Sequence, residues 1–189
     1  MPFSTAHSWL HNNYFVAEES ADDARRPTVY LDTSIPSYLT AWQSRDFLIA
    51  HRQRITHIWW HRHRHRYTLR VSERVHVEAA AGDIDAAAAR RNALSGIDSL
   101  DFDSDAKCLS EKLIGSSMLP PRALADAEHI AIAARNSIQF LLTWNCTHLA
   151  NRVIHRAIVR TCEVHGFRCP EVCTPEQLMR IYTHERPTS

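Results

Sequence analysis

The sequence predicts an α/β fold around a central, mainly parallel sheet flanked by helices, and three observations carry that prediction. Short apolar runs of strand length alternate with longer helical patterns along most of the chain. One run, Phe140-Leu141-Leu142-Thr143-Trp144, is apolar almost without interruption, as strands covered on both faces are. Only 4 glycines occur in 189 residues, too few for the turn-dense all-β alternatives. A chain of this length suits one domain with a real core. Hydrophobic residues make up 44% and charged residues 23%, which excludes disordered, collagen-like and coiled-coil descriptions of the whole.

The elements follow in order. Residues 1–27 hold no sustained periodicity and carry the polar cluster EESADDARR, so they are expected to form an appended arm. Val29-Tyr30-Leu31 reads as a buried strand ending in Asp32, and Thr33-Ser34-Ile35-Pro36 as a helix start. An imperfectly amphipathic helix is predicted from about Arg45 to Arg66, then a strand over Tyr67–Val71. Ser72 is placed to cap a short helix through Ala81 that Gly82 ends. A helix over Ile84–Leu94, a strand over Ile97–Phe102 and a helix over Asp105–Ile114 come next. Pro120-Pro121 opens a helix that runs to Arg135, and the strand Phe140–Trp144 follows it. Asn151 is expected to cap the last long helix, which buries Val153, Ile154, Ala157, Ile158 and Cys162 and ends at Gly166. Val172-Cys173 forms a final strand before a helix that starts at Thr174-Pro175-Glu176.

No run approaches the ~20 apolar residues of a membrane span, and the start lacks a basic-then-apolar leader, so a cytoplasmic protein is expected. Five cysteines, an odd number, argue for reduced thiols rather than a disulfide framework. Charge is segregated: residues 45–70 hold seven Arg against one Asp, whereas residues 71–128 hold eleven acids against six bases.

In open parallel sheets ligands sit at the carboxyl ends of the strands. Asp32 and Asn145 both directly follow apolar strand runs, while Glu78 and Asp126 fall in helices after a strand and after the Pro-Pro turn. Carboxylates gathered at one sheet edge are what Mg²⁺ or Mn²⁺ needs, because such hard ions take oxygen ligands and keep several waters. The hydroxyls of Thr33 and Ser34 stand beside Asp32, where they can hold water or cap the helix. Thr143 is an additional candidate at the end of its strand. His129, three residues after Asp126, shares its helix face and either orients that carboxylate or is a satisfied core histidine.

Taken together, YLDTS, VSERVHVEAAAGD, ALADAEHIAIAARN and FLLTWNCTHLAN resemble, in order and separation, the four signature segments of PIN-domain ribonucleases of the VapC toxin type. The resemblance covers about residues 28–180. It implies a PIN-like three-layer fold over residues 28–182, with 183–189 as a tail, and a metal-dependent endoribonuclease activity. Asp32, Glu78 and Asp126 match the family's first three metal-site acids. At the fourth position, commonly Asp, this chain has Asn145, which can still ligate or orient water but removes one negative charge. The resemblance also implies an RNA substrate, a homodimer and a small antitoxin protein as partner. A PIN scaffold with a weakened metal site that binds RNA or protein is the alternative.

Two other constellations compete. His61, His63 and His65 alternate with Arg62, Arg64 and Arg66. As an extended segment this run presents three imidazoles on one side, but as a helix end it is a solvated basic patch able to contact phosphates. Cys162, His165, Cys169 and Cys173 have the residue types of a zinc site. Their places on an apolar helix face and at a strand end favour buried thiols. Trp59, Trp60 and Trp144 border apolar runs and read as core rather than base-stacking platforms.

Overall fold

The computed structural model describes residues 26–116, 119–145 and 152–184. The elements are β1 (Thr28–Leu31), α1 (Ser34–Thr40), α2 (Phe47–Arg62), β2 (Thr68–Ser72), α3 (Glu73–Ala79), α4 (Ile84–Leu94), β3 (Asp98–Leu100), α5 (Ser104–Ser116), α6 (Leu124–Arg135), β4 (Phe140–Leu142), α7 (Arg152–Val164), β5 (Glu171–Cys173) and α8 (Pro175–His184). The five strands form one sheet in the order β3-β2-β1-β4-β5. Every pairing is parallel, so the expected α/β class holds and the sheet is parallel throughout.

Topology then distributes the helices. The steps β1→β2→β3 cross the sheet one way, and β3→β4→β5 cross it the other way. Right-handed crossovers therefore put α1–α4 on one face and α5–α7 on the opposite face. The packing agrees: α1 touches α2 and α4, α5 touches α6 and α7, and α8 returns to α2. The central strand β1 is sealed from both sides, with Val29, Tyr30 and Leu31 inaccessible to solvent beside Ile35, Trp59, Ile130 and Leu142. Trp59, Trp60 and Trp144 are all core residues. No helix among the described residues is long and apolar enough to cross a membrane.

Differences from the sequence-based boundaries have local causes. The predicted helix over 45–66 begins only at Phe47, because Asp46 turns out of the helix and its side chain accepts from the Ile49 N–H. It ends at Arg62, and Arg64–Arg66 form a separate 3₁₀ turn. Ser72 caps α3 as expected, accepting from the Val75 N–H, but α3 stops at Ala79, ahead of Gly82 at φ 87°. The strand predicted over 97–102 is only Asp98–Leu100, an edge strand whose first two residues are exposed. Asp103 Oδ1 accepts from the Ala106 N–H and starts α5 one residue early. Pro121–Ala123 make a 3₁₀ turn before α6 begins at Leu124. The run 140–144 is strand only to Leu142. Gly166 follows α7 at φ 80°, where the Phe167 N–H returns to the Cys162 carbonyl. The predicted cap Asn151 lies outside the described residues, as do residues 1–25 of the arm and 185–189 of the tail. Pro27 already belongs to the sheet edge, its carbonyl accepting from the Thr68 N–H at 3.0 Å.

Candidate active site

The chain reverses its direction across the sheet between β1 and β4, and a crevice at the carboxyl ends of such strands is where open α/β sheets bind ligands. Register decides what meets there. Leu31 pairs with Leu142, so the next residues, Asp32 and Thr143, stand side by side at the rim. The Asp32 N–H still bonds the Leu142 carbonyl at 3.1 Å. Thr143 Oγ1 donates to Asp32 Oδ2 at 2.8 Å and accepts from the Asn145 N–H at 2.9 Å. Asp32 Oδ1 accepts from the Ser34 N–H at 2.7 Å and from the Ser34 hydroxyl. Ser34 Oγ in turn accepts from the Trp144 N–H at 2.8 Å. Ser34 therefore does not cap α1 but bonds Asp32 directly; Thr33 holds the cap position and makes no side-chain capping bond.

Asp32 is thus a buried carboxylate, 7% exposed, that receives three hydrogen bonds. The hydroxyl of Thr33 reaches the other way, donating to Glu78 Oε2. Glu78 sits in the last turn of α3, where the helix dipole disfavours a negative charge. Its neighbours offset that. Arg74, one turn earlier, contacts Oε1 at 2.8 Å, and His129 Nε2 lies 3.3 Å from Oε2. Partial burial raises its pKa, but the hydrogen bonds from His129, Thr33 and Arg74 outweigh it, bringing the carboxyl down to about 2. Arg74 also binds Glu128 at 3.0 Å and so ties α3 to α6.

Asp126 lies in the first turn of α6, the favourable end for an anion. Its Oδ1 accepts from Asn145 Nδ2 at 2.8 Å. The four residues singled out from the sequence therefore lie along one hydrogen-bonded rim, Asp126–Asn145–Thr143–Asp32–Ser34, with Glu78 joined through the neighbouring Thr33. The structure amends two expectations. His129 faces Glu78 rather than Asp126, because it points across the sheet layer toward α3. Thr143, treated as an additional candidate, is the hinge of the rim. Glu128, Arg74 and Tyr30 were not singled out from the sequence. The i,i+4 pair Arg74–Glu78 was legible there, whereas Glu128 and Tyr30 acquire their partners only through the fold.

Among the described residues, no three His, Cys, Asp or Glu side chains converge to hold a metal ion. The donor chemistry of the rim nonetheless suits Mg²⁺ or Mn²⁺: carboxylate, amide and hydroxyl oxygens, and an ion that commonly takes one or two carboxylates and fills its shell with water and substrate phosphate. Cys162, His165, Cys169 and Cys173 do not form a zinc site among these residues either. Cys162 and Cys173 are buried and in no disulfide, and His165 Nδ1 lies 2.9 Å from the Thr161 carbonyl.

The basic segment has a different address. Arg62 to Arg66 lead into Thr68, the first residue of β2, which places them at the amino rim of the sheet, opposite the carboxylates. His61, His63 and His65 follow helical and 3₁₀ backbone, not an extended one. The Arg64 guanidinium stacks 4.6 Å over Trp60. A cavity of about 360 Å³ opens here, with Arg64, His65, Arg70 and Asp98 in its lining.

Neither the scan against protein-family models nor the search of curated proteins finds a match to this chain.

Proposed function

We propose that the chain is a metal-dependent endoribonuclease whose active site is the carboxyl rim of β1 and β4. The observation that supports this most directly is the continuous array Asp126–Asn145–Thr143–Asp32, joined to Glu78 at a topological switch point. Asp32 and Asp126, with Glu78 beside them, would hold the Mg²⁺ or Mn²⁺ ion, and Asn145 would serve as an uncharged fourth member. When bound, the ion supplies positive charge against the scissile phosphate and lowers the pKa of water for attack. The chain's own residues do the preparatory work. Ser34 and Thr143 fix both oxygens of Asp32, Thr33 and Arg74 fix Glu78, and the Asn145 amide holds Asp126. With its pKa near 2, Glu78 stays ionised at neutral pH, so its role is that of a fixed anion rather than a proton donor.

The resemblance of the four segments to VapC-type PIN domains supports RNA as substrate and, with it, a toxin that acts as a homodimer and is held in check by an antitoxin protein. Growth arrest on expression, relieved by a small protein encoded beside this gene, tests the toxin part. The test of the enzyme is incubation of the purified full chain with a structured RNA pool in Mg²⁺, Mn²⁺ or EDTA. Cleavage that depends on metal and stops in EDTA is expected.

A second reading has its own observation. Arg74 bridges Glu78 and Glu128, and the Asn145 amide donates to Asp126, so a guanidinium offsets part of the negative charge and an amide already occupies one Asp126 oxygen. A PIN-like scaffold that binds RNA or protein without cutting fits that. RNA binding without cleavage under every metal condition would favour it.

A further inference from the structure

We propose that Tyr30 and His129 are positioning residues for Glu78: a buried, one-way chain of hydrogen bonds running from Ser72 through Tyr30 to Nδ1 fixes the His129 ring and aims its Nε2–H at the Glu78 carboxylate. The proposal rests on the carboxyl-rim reading and deepens it by assigning what orients one of its acids.

Tyrosine in the middle of a central strand needs a partner for its hydroxyl. Tyr30 is inaccessible to solvent, and its hydroxyl lies 2.7 Å from Ser72 Oγ and 2.8 Å from His129 Nδ1. The other imidazole nitrogen, Nε2, is 3.3 Å from Glu78 Oε2. At the far end, Ser72 Oγ accepts from the Val75 N–H at 3.4 Å. Four elements thus contribute to one line: β1 gives Tyr30, β2 gives Ser72, α3 gives Val75 and α6 gives His129.

Counting protons sets the direction of the line. An ionised carboxylate only accepts, so Nε2 must carry a proton to face Glu78. With Nδ1 as an acceptor, Tyr30 donates to His129, Ser72 donates to Tyr30, and the Val75 N–H donates to Ser72. Every proton then has an acceptor. With Nδ1 also protonated, Tyr30 must donate to Ser72, whose oxygen takes two donors while its own proton has no acceptor among the hydrogen bonds of the structure. Ser72 is fully buried, and a stranded buried donor is disfavoured. Burial also pushes the Tyr30 hydroxyl well above its ordinary pKa, which keeps its proton in the chain.

The charged and titratable groups around His129 are Tyr30 on one side and Glu78 on the other, with Arg74 behind Glu78 and between it and Glu128. Glu78 is therefore gripped by Thr33 and His129 at Oε2 and by Arg74 at Oε1. Partners of this kind orient a ligating carboxylate, and their loss commonly weakens metal binding by 10- to 100-fold.

The test has two arms. In the first, ¹⁵N NMR of the imidazole rings is recorded on the full chain at neutral pH. The His129 signals are assigned by their loss in His129→Gln or, should that variant not fold, by their contact with the Tyr30 ring protons. A protonated Nε2 with an unprotonated Nδ1 is expected. A proton on Nδ1, alone or together with one on Nε2, overturns the chain. In the second arm, the affinity for Mn²⁺ alone is measured by calorimetry. Gln offers an amide N–H at the position of Nε2 and should retain the wild-type affinity within about threefold, whereas His129→Leu should lose about 10- to 100-fold. A merely structural histidine would lower the melting point of both variants without separating their affinities, and that result overturns the positioning role. If the wild-type chain binds no Mn²⁺, the metal reading fails, and the NMR result alone decides whether the chain exists.

Discussion

At the carboxyl rim of the sheet the polar side chains are committed to one another: Asp32 receives three hydrogen bonds, Glu78 is held from three sides, and Asp126 is held by Asn145. At the amino rim Arg62, Arg64 and His65 are exposed, and the ion pair between Arg70 and Asp98, at 3.2 Å, has one partner 77% exposed. The contrast separates two kinds of electrostatics. Fixed, partly buried charges act over short range with defined direction and are costly to leave unpaired. Solvated cations act diffusely, and salt screens them. On the proposed reading, the carboxyl rim would serve chemistry at one phosphate and the amino rim a non-specific hold on a polyanion.

The largest expected effect breaks the carboxyl rim at its most direct metal candidate. Asp126→Asn should reduce metal-dependent RNA cleavage by more than the 10- to 100-fold typical of an outer partner, with an unchanged circular dichroism spectrum. Wild-type cleavage rates in this variant would remove Asp126 from the site.

Next comes the charge of the same rim. Asn145→Asp replaces the amide that donates to Asp126 at 2.8 Å with a second carboxylate. Without metal the two repel, so the melting point in EDTA should fall. With Mn²⁺ the extra charge should tighten binding about tenfold, a fraction of the ~4 kcal/mol that unit charges exchange at 4 Å in an effective dielectric near 20. Thermal melting titrated with Mn²⁺ reads both. If neither the EDTA melting point nor the metal response changes, Asn145 is not part of the site.

A third prediction uses pH. Glu78 has its carboxyl lowered from 4.5 to about 2 in the fold, so the folded state binds fewer protons than the unfolded state as pH falls through that interval. Its contribution to stability is complete above about pH 4.5 and is lost between there and pH 2, amounting to about 1–2 kcal/mol once screening of a half-buried carboxylate is allowed for. Glu78→Gln should flatten the stability curve in that window when urea unfolding is followed from pH 5 to pH 2.5. An identical acid limb in the two proteins would mean that the grip on Glu78 is weak.

The smallest effect sharpens the comparison from the amino rim. Neutralising Arg62, Arg64 and Arg66 should lower the slope of log K against log salt for long single-stranded RNA by up to ~0.7 per lost contact. Cleavage of an oligonucleotide too short to span the sheet should hardly change. An unchanged slope makes the basic turn a solvated helix end with no part in binding, whereas a loss confined to short substrates would mean that the two rims are not separate.

Much of this arrangement was legible in the residues. Asp32 announces itself because a polar residue directly after a buried parallel strand stands at the carboxyl rim; Asn145 was placed there through an apolar run that is strand only to Leu142. Ser72 marked the start of α3 through local backbone chemistry alone, whereas Gly82 lies beyond its end at Ala79. What escaped was set by contacts distant in sequence. The direction of His129 toward Glu78 depends on how α6 crosses behind β1, and no spacing within DAEHIA encodes that. The separation of the basic segment from the acids follows from strand polarity: residues just before a strand and residues just after one lie at opposite rims, although charge counts along the chain say nothing of it. Asp46 and Asp103 shortened or extended helices through single side-chain caps, a one-residue effect that apolar periodicity does not resolve.

Trp144 stands one residue beyond Thr143, its backbone N–H bonded to Ser34 Oγ and its indole Nε1–H to Thr56 Oγ1 at 2.7 Å. The Arg52 guanidinium lies 5.6 Å from the centre of its ring. A tryptophan whose backbone is bonded to the hydroxyl that grips Asp32 turns the rim into an optical gauge. Its emission should answer to displacements of Ser34, so a fluorimeter can follow Asp32 without any label once the other four tryptophans, Trp9, Trp42, Trp59 and Trp60, have been replaced by phenylalanine.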